Sequence, residues 1–279
     1  MKTVFITPNP TQERCIDALP AIVAAFVERE FTVVLDREGP CIPGADMMSE
    51  EQAAACCDLI VPVGGDSAVL RRASLAAAFN KPLLGINLGT IGYLTEIDPA
   101  ALSKLDLLVR GEYTLDRRTA LDVTVTDAAG KVTYSAFALN DAVIQRMDLS
   151  KTVPLSVTYD GEPVLEFRGD GVMVSTPTGS TAYSLAAGGP IMEPNCDCLS
   201  VTPICPHSLW IKSFVVPGSR CIGLTPTKWR VPVLLSVDGY QNHTLAQGET
   251  VQVSRSERTV PLIRLDGPGF YQRIAIKLS

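Results

Sequence analysis

Three stretches of this sequence gather residues whose types and spacing could do chemistry. In Val61-Pro62-Val63-Gly64-Gly65-Asp66-Ser67-Ala68-Val69-Leu70-Arg71 an apolar strand ends, two glycines turn the chain, and an acidic residue opens a helix. Free N–H groups and the positive helix end at such a turn suit a phosphate. The stretch is neither a P-loop nor a G-x-G-x-x-G turn, and taken alone a glycine turn with an Asp cap is common in α/β proteins. The second stretch, from Arg168-Gly169-Asp170-Gly171 through Ser175-Thr176-Pro177-Thr178-Gly179-Ser180-Thr181-Ala182-Tyr183-Ser184 to Gly188-Gly189-Pro190, follows an apolar strand with a dense run of small and hydroxyl residues. Small side chains let a flat ligand approach the backbone, and Tyr183 offers both a hydroxyl and a stacking face. The third is Asn140-Asp141, an amide and a carboxylate ahead of the apolar run Ala142-Val143-Ile144. Such a pair suits the vicinal hydroxyls of a ribose, although an Asx turn reads the same way.

Composition narrows the partners. A net charge of −6 and a pI near 5.0 argue against nucleic acid, whose phosphates call for a basic surface. No apolar run approaches the ~20 residues of a membrane span, and the opening Met1-Lys2-Thr3-Val4-Phe5-Ile6-Thr7-Pro8 reads as a strand rather than a signal peptide. None of the eight cysteines forms C-x-x-C, and Cys196-Asp197-Cys198 with Cys205 and His207 is too tightly spaced for a usual zinc site. A soluble cytoplasmic protein with reduced thiols and no metal site of its own is expected.

These stretches need elements to hold them. Hydrophobic residues make up 46 % of 279, enough for one large or two medium domains. Strand-like runs at 4–7, 31–35, 59–63 and 83–88 alternate with helical spacing at 15–30, 49–57 and 68–79, with Ser49 capping the second helix. That order implies a mainly parallel sheet with helices on both faces. Beyond about Asp98 the texture becomes short β-rich runs, at 121–126, 132–137, 142–146, 155–159, 172–175, 233–237, 250–254 and 261–265, parted by turns such as Asp160-Gly161. Apolar residues at Phe270, Ile274 and Leu278 give the tail helical spacing, so it reads as a last helix docked back on the first domain. The expected domains are 1–98, with 268–279 returning to it, and a β-rich 99–267.

Together the three stretches resemble the NAD kinase family. Gly64-Gly65-Asp66 resembles its Gly-Gly-Asp-Gly motif. Leu84-Gly85-Ile86-Asn87-Leu88-Gly89, with Gly92-Tyr93-Leu94-Thr95, is similar to its next strand and loop, and Asn140-Asp141 to its Asn-Glu pair. Gly169 to Gly189, Glu193-Pro194 and Thr202-Pro203-Ile204-Cys205-Pro206-His207-Ser208 are the most specific stretches of the likeness, which covers roughly residues 59–210. The resemblance implies an α/β domain plus a β-sandwich, the NAD kinase/diacylglycerol kinase-like fold. It implies phosphorylation of the adenosine 2′-hydroxyl of NAD by ATP, with Mg²⁺ or another divalent cation accompanying ATP. The family binds the adenosine between its domains, in homo-oligomers (dimers or tetramers) whose sites borrow residues from a neighbour.

Carried over by motif, Asp66 is the catalytic carboxylate, with Gly64, Gly65, Ser67 and Arg71 near phosphate. Asn140 and Asp141 hold the adenosine, and Thr178, Thr181, Ala182, Tyr183 and Ala186 line its pocket. Arg168, Asp170 and Cys205 approach the rest of the dinucleotide, from a partner subunit where sites are shared. Two departures stand out: Asp141 is one methylene shorter than the usual Glu, and Ser67 replaces the fourth glycine. If that glycine has φ > 0, a serine there costs about 1–2 kcal/mol of strain, and its Cβ faces the phosphate path, which predicts an active but slow enzyme. A dinucleotide-binding homologue without kinase activity is the alternative, and a lipid kinase of the related superfamily a third reading, against which stands the lack of a basic amphipathic helix.

Overall fold

The computed structural model describes residues 2–10, 12–89 and 92–278. The chain opens with β1 (Thr3–Pro8), α1 (Glu13–Val27), β2 (Thr32–Asp36), β3 (Ala45–Met48), α2 (Glu50–Cys56), β4 (Leu59–Gly64), α3 (Asp66–Ala78), β5 (Gly85–Asn87) and β6 (Thr95–Ile97). The strands pair in parallel in the order β3-β2-β1-β4-β5-β6. All six residues of β4 are buried, the mark of a strand covered on both faces. α1 buries Cys15, Leu19, Ile22, Val23 and Phe26, a stripe at helical spacing. Ser49 caps α2 through a reciprocal bond with Gln52. Next come α4 (Leu105–Arg110) and β7 (Thr114–Arg118).

The following strands are β8 (Leu121–Thr126), β9 (Val132–Ala138), β10 (Asp141–Arg146), β11 (Val153–Tyr159), β12 (Glu162–Gly169) and β13 (Gly171–Ser175). After the short helix α5 (Tyr183–Ala186) come β14 (Cys198–Ile204), β15 (Phe214–Pro217), β16 (Ile222–Pro226), β17 (Val233–Val237), β18 (Gln241–Thr244) and β19 (Thr250–Arg255). They form two six-stranded antiparallel sheets, β15-β14-β13-β10-β17-β18 and β12-β11-β16-β19-β8-β9. Inner-face residues of both sheets, among them Val123, Ile144, Leu155, Val174, Leu235 and Val251, share one core, which makes this a sandwich. Along β10, Ala142 and Ile144 enter that core. Period-two alternation therefore sends Asp141, Val143 and Gln145 to the outer face.

The chain closes with β20 (Val260–Arg264), which pairs with β7, and α6 (Phe270–Leu278). Two compact units result: 1–117 with 259–279, and 118–258. These boundaries differ from the 98/99 and 267/268 expected from texture. Leu105 and Leu108 of α4 and Ile263 of β20 are buried in the same core as β1 and α1, so both segments belong to the first unit despite their β-rich surroundings. Among the described residues no helix is long and apolar enough to cross a membrane.

Candidate active site

In the first unit, β4 ends at Gly64 with φ +151, a backbone state that L side chains rarely adopt. A Cβ there would also lie 3.0 Å from that of Ala68 and 3.3 Å from that of Asn9. Gly65 is the N-cap of α3, and an added Cβ would meet nothing within 4 Å, so the turn is open above the helix end. Asp66 follows as the first helical residue. Its carboxylate accepts N–H bonds from Tyr93 (2.9 Å), Leu94 (3.0 Å) and Thr95 (3.3 Å). Gly92 is required where this loop passes Asp66, because a Cβ at that position would overlap the carboxylate. Burial, and then the Asp66 charge, push the Tyr93 hydroxyl above its ordinary pKa.

The carbonyl side of the same loop is held by two arginines. Arg273 of α6 donates to the carbonyls of Gly92 (3.1 Å) and Thr95 (2.8 Å), and Arg264 to that of Tyr93 (3.0 Å). Both pair with Glu96, whose side chain is 1 % exposed, at 2.6 Å from Arg273 and 3.1 Å from Arg264. Loop 92–95 is thus gripped through its N–H groups by Asp66 and through its carbonyls by Arg264 and Arg273. Burial, and then the neighbouring Arg264, lower the pKa of Arg273.

Ser67 is the clearest correction to the sequence reading. It lies in the first turn of α3, exposed, and is absent from the positive-φ residues. The left-handed glycine of this turn is Gly64, three residues earlier. A serine in right-handed helix carries no φ strain, which removes the strain argument for a slow enzyme. Arg71 is exposed one turn further along α3.

In the second unit, Asn140 and Asp141 sit where β10 begins. Asp238, at the end of β17, accepts N–H bonds from Leu139 (2.7 Å), Asn140 (2.7 Å) and Asp141 (3.1 Å). From the other side Thr176 donates its hydroxyl to the Leu139 carbonyl (2.6 Å) and its N–H to the Asn140 carbonyl (2.9 Å). Gly179 packs so closely on the Asn140 backbone that any side chain there would collide with it. The amide and carboxylate therefore stand on a backbone fixed from two directions.

They open on a cleft of about 400 Å³ whose wall includes Asn140, Asp141, Ala182, Tyr183, Ser236 and Asp238. Asn140 Oδ1 is buried without a partner among the described residues, an acceptor that a ligand hydroxyl or amine could satisfy. Burial, and then the charge of Asp238, raise Asp141 to about 7. Burial raises Asp238 to about 6 against the pull of its three N–H donors. Tyr183 is 43 % exposed; burial, then Cys205, Asp141 and Asp170, raise its hydroxyl above the usual value.

The structure thus brings Asn140, Asp141, Ala182 and Tyr183 together, with Asp170 and Cys205 close enough to be felt at Tyr183. Asp170 is paired with Arg146 at 2.7 Å, and Cys205 is exposed with φ +45. Thr178 is buried and accepts a bond from Arg118 (3.2 Å), and Thr181 donates to the Thr178 carbonyl (3.2 Å). Both shape the turn from behind rather than lining the cleft. Ala186 is exposed at the end of α5. Arg168 lies in a different pocket. Asp238 and Ser236 were missed by the sequence reading; the available signal was Val237-Asp238-Gly239, an apolar strand ending in an acidic residue and a glycine.

Comparison with known proteins agrees with both halves. Residues 46–113 match the family model of the ATP-NAD kinase N-terminal domain, and residues 139–265 that of the ATP-NAD kinase C-terminal domain. The chain is 40 % identical over 281 residues to an NAD kinase of Moorella thermoacetica, covering 100 % of this chain and 90 % of that one. With an NAD kinase of Symbiobacterium thermophilum it shares 41 % over 223 residues, 80 % and 78 % of the two chains. Among solved structures it is similar to yeast NADH kinase complexed with NADH (TM-score 0.89, 26 % identity, 100 % of this chain and 87 % of that one). It is also similar to an Archaeoglobus fulgidus NAD kinase in complex with ATP (TM-score 0.73, 26 % identity, 100 % and 97 %).

Proposed function

The chain belongs to the NAD kinase family and phosphorylates the adenosine 2′-hydroxyl of NAD with ATP, giving NADP and ADP; from that premise we propose how its residues share the work. The observation that carries the proposal is the fixed Asn140-Asp141 pair at the cleft wall, with an Asn140 Oδ1 that has no partner among the described residues. Asn140 and Asp141 hold the adenosine. A carboxyl whose pKa lies near 7 can both donate to and accept from ribose hydroxyls, which suits Asp141 to that role. Tyr183 and Ala182 supply the flat wall, with Thr178, Thr181 and Ala186 shaping the turn that presents them.

Asp66 is the catalytic carboxylate. The substrate 2′-oxygen attacks the terminal phosphorus of ATP, the bond from that phosphorus to the bridging oxygen of ADP breaks, and the hydroxyl proton passes to Asp66. Phosphoryl transfer demands mainly position and charge neutralisation, so Asp66 orients the hydroxyl and takes its proton late. The grip of loop 92–95 supports this role by fixing the carboxylate. Gly64, Gly65, Ser67 and Arg71 surround the phosphates, with the N–H groups of the α3 terminus directed at them.

Mg²⁺, or another divalent cation, would accompany ATP and would supply neutralisation of phosphate charge. Among the described residues no three His, Cys, Asp or Glu side chains gather as a metal nest, so no protein ligand is assigned to it. The same reading includes a homo-oligomer, dimer or tetramer, in which Arg168, Asp170 and Cys205 serve a neighbour's dinucleotide; the position of Arg168 outside its own cleft supports this. A cytoplasmic setting suits the eight unpaired cysteines. Asn140→Ala tests the assignment: the KM for NAD should rise at least about tenfold, the loss of one or two good hydrogen bonds, with the KM for ATP unchanged. An unchanged KM for NAD removes Asn140 from the binding role.

A further inference from the structure

Two thiols that phosphoryl transfer does not use lie together where the chain enters β14. Cys196 and Cys198 flank Asp197, at which the chain bends. Their side chains are within hydrogen-bonding reach of each other. Cys196 is exposed, Cys198 is half-buried, and both are free thiols. The residue between them is fixed: the Asp197 carbonyl accepts from the Gly218 N–H (3.2 Å), and its carboxylate pairs with Arg255 at 2.5 Å. A turn holds the other side, where the Cys196 N–H donates to the Glu193 carbonyl (3.0 Å) and the Glu193 carboxylate accepts from the Asn195 N–H (2.9 Å). Thiols on so short and so pinned a segment lose little further freedom when joined.

From Cys198 the contacts continue inward. Its thiol donates to the Met192 sulfur (3.5 Å), and Met192 is buried. The Met192 N–H donates to the Ser180 hydroxyl (3.0 Å), which donates in turn to the Pro177 carbonyl (2.6 Å). Ser180 is fully buried, in the 176–183 turn that presents Ala182 and Tyr183 to the cleft. One line of contacts thus runs from a surface thiol to the cleft wall. Cys196, open to solvent, is the thiol that an oxidant meets. Cys198, whose thiol is held above its ordinary pKa first by burial, stands beside it as the resolving partner.

We propose that Cys196 and Cys198 are a reversible oxidation site, converted by peroxide to an intramolecular disulfide that weakens the binding of NAD. Hydrogen peroxide transfers one oxygen to the Cys196 sulfur, giving a sulfenic acid, and the other leaves as water. The Cys198 sulfur then attacks the Cys196 sulfur; the S–S bond forms, and the sulfenic oxygen departs with the thiol proton as a second water. Two thiols are oxidised by two electrons and one peroxide is reduced. The new bond sets the sulfurs about 2.05 Å apart and removes both S–H groups. Met192 then loses its donor as the Cys198 sulfur is drawn toward Cys196. The Met192–Ser180 link is free to shift, and the wall formed by Ala182 and Tyr183 loosens. The effect on NAD rests on the assignment of that wall to the adenosine pocket; formation of the disulfide does not.

The test uses the purified full chain, reduced, treated with one equivalent of hydrogen peroxide, alkylated and mapped by tandem mass spectrometry. The segment carrying Cys196 and Cys198 should be lighter by two hydrogens, with neither sulfur alkylated. In the same treated protein, before alkylation, the KM for NAD should rise at least about threefold, the scale of one lost neutral hydrogen bond, and return on addition of dithiothreitol. Cys196→Ser, a conservative change at an exposed position outside the cleft, should match the wild type before treatment and keep its KM for NAD after it. Cys41, Cys56 and Cys205 are exposed as well, and this variant separates their oxidation from that of the pair. A treated Cys196→Ser whose KM rises like the wild type's overturns the proposal. So does the absence of a Cys196–Cys198 bond, or a bond that forms and leaves the KM for NAD unchanged. Asn140→Ala, measured without oxidant, tests the adenosine pocket separately: a KM for NAD that responds to Asn140→Ala but not to the disulfide leaves the pocket standing and refutes the oxidation site's control of it.

Discussion

Asp238→Ala removes the acceptor of three backbone N–H groups, those of Leu139, Asn140 and Asp141. Leu139 and Asp141 are buried, and each donor left unpaired costs about 1–3 kcal/mol, some of it recovered by water entering from the cleft. Against this stands the relief of a buried charge. Burial lifts Asp238 from 3.8 to about 6, which at neutral pH corresponds to about 3 kcal/mol of disfavoured ionisation. Taking about 2 kcal/mol per donor, the substitution should destabilise the second unit by about 3 kcal/mol at pH 7. The pH dependence sharpens the test. A carboxyl whose folded pKa is raised stays protonated in the fold while the unfolded chain has already ionised. Its contribution is therefore intact below about pH 4 and lost as pH rises toward the raised value. The wild type should lose stability between pH 4 and 7 through Asp238 and Asp141, and the variant should lose less. The gap between them is thus larger at pH 5 than at pH 8. Urea unfolding followed by the fluorescence of Trp229, which packs on the sandwich core, measures both quantities. A variant within 0.5 kcal/mol of wild type at both pH values, or a gap that widens with rising pH, would refute the reasoning.

Ser67→Gly should lower stability by about 0.5–1 kcal/mol, since glycine in a right-handed helix loses more backbone entropy than serine; turnover should not increase, and a rise in both Tm and kcat would restore the strain argument. Arg273→Ala should cost about 3 kcal/mol, because it leaves Glu96 half-paired and the carbonyls of Gly92 and Thr95 without their donor. Its kcat should fall more than its KM for NAD, with Arg273→Lys restoring part of the loss; equal changes in kcat for the Lys and Ala variants would argue against a geometric role for the fork.

What the sequence disclosed follows the strength of local patterning. β8 and β17 have clean alternation, and their observed bounds match the expected 121–126 and 233–237. The tail helix 270–278 was legible from its spacing. β12 was not, because Glu162, Pro163 and Glu166 leave an exposed edge strand without an apolar face. β14 was obscured by Cys198 and Pro203 and is recognisable only through its partners β13 and β15. β20 looked like part of the sandwich, and only long-range pairing with β7 assigns it elsewhere. At the site, Asn140, Asp141 and Tyr183 were visible as residue types in dense small-residue stretches. Asp238 lies 97 residues beyond Asp141, and its role arises from two strands meeting side by side. Arg273 was invisible for the same reason, since nothing in a tail helix announces which loop it reaches. Ser67 was misjudged because the glycine requirement of the turn falls on Gly64, a distinction that only the backbone angles make.

The central claim, that Asp66 acts on the 2′-hydroxyl of NAD, is tested most directly by following NAD and ATP with the purified protein and its Asp66→Asn variant and locating the transferred phosphate by ³¹P NMR. NADP carrying its new phosphate on the adenosine 2′-oxygen, and ADP in equal amount, should accumulate with the wild type. Orienting and proton-accepting groups are typically worth 10²–10⁴ in rate, so the variant should be slower by at least about a hundredfold. Its Tm should fall as well, because an amide NH₂ then faces the N–H of Tyr93 or those of Leu94 and Thr95. Phosphate appearing elsewhere on the dinucleotide, or a folded variant that turns over like the wild type, would contradict the account.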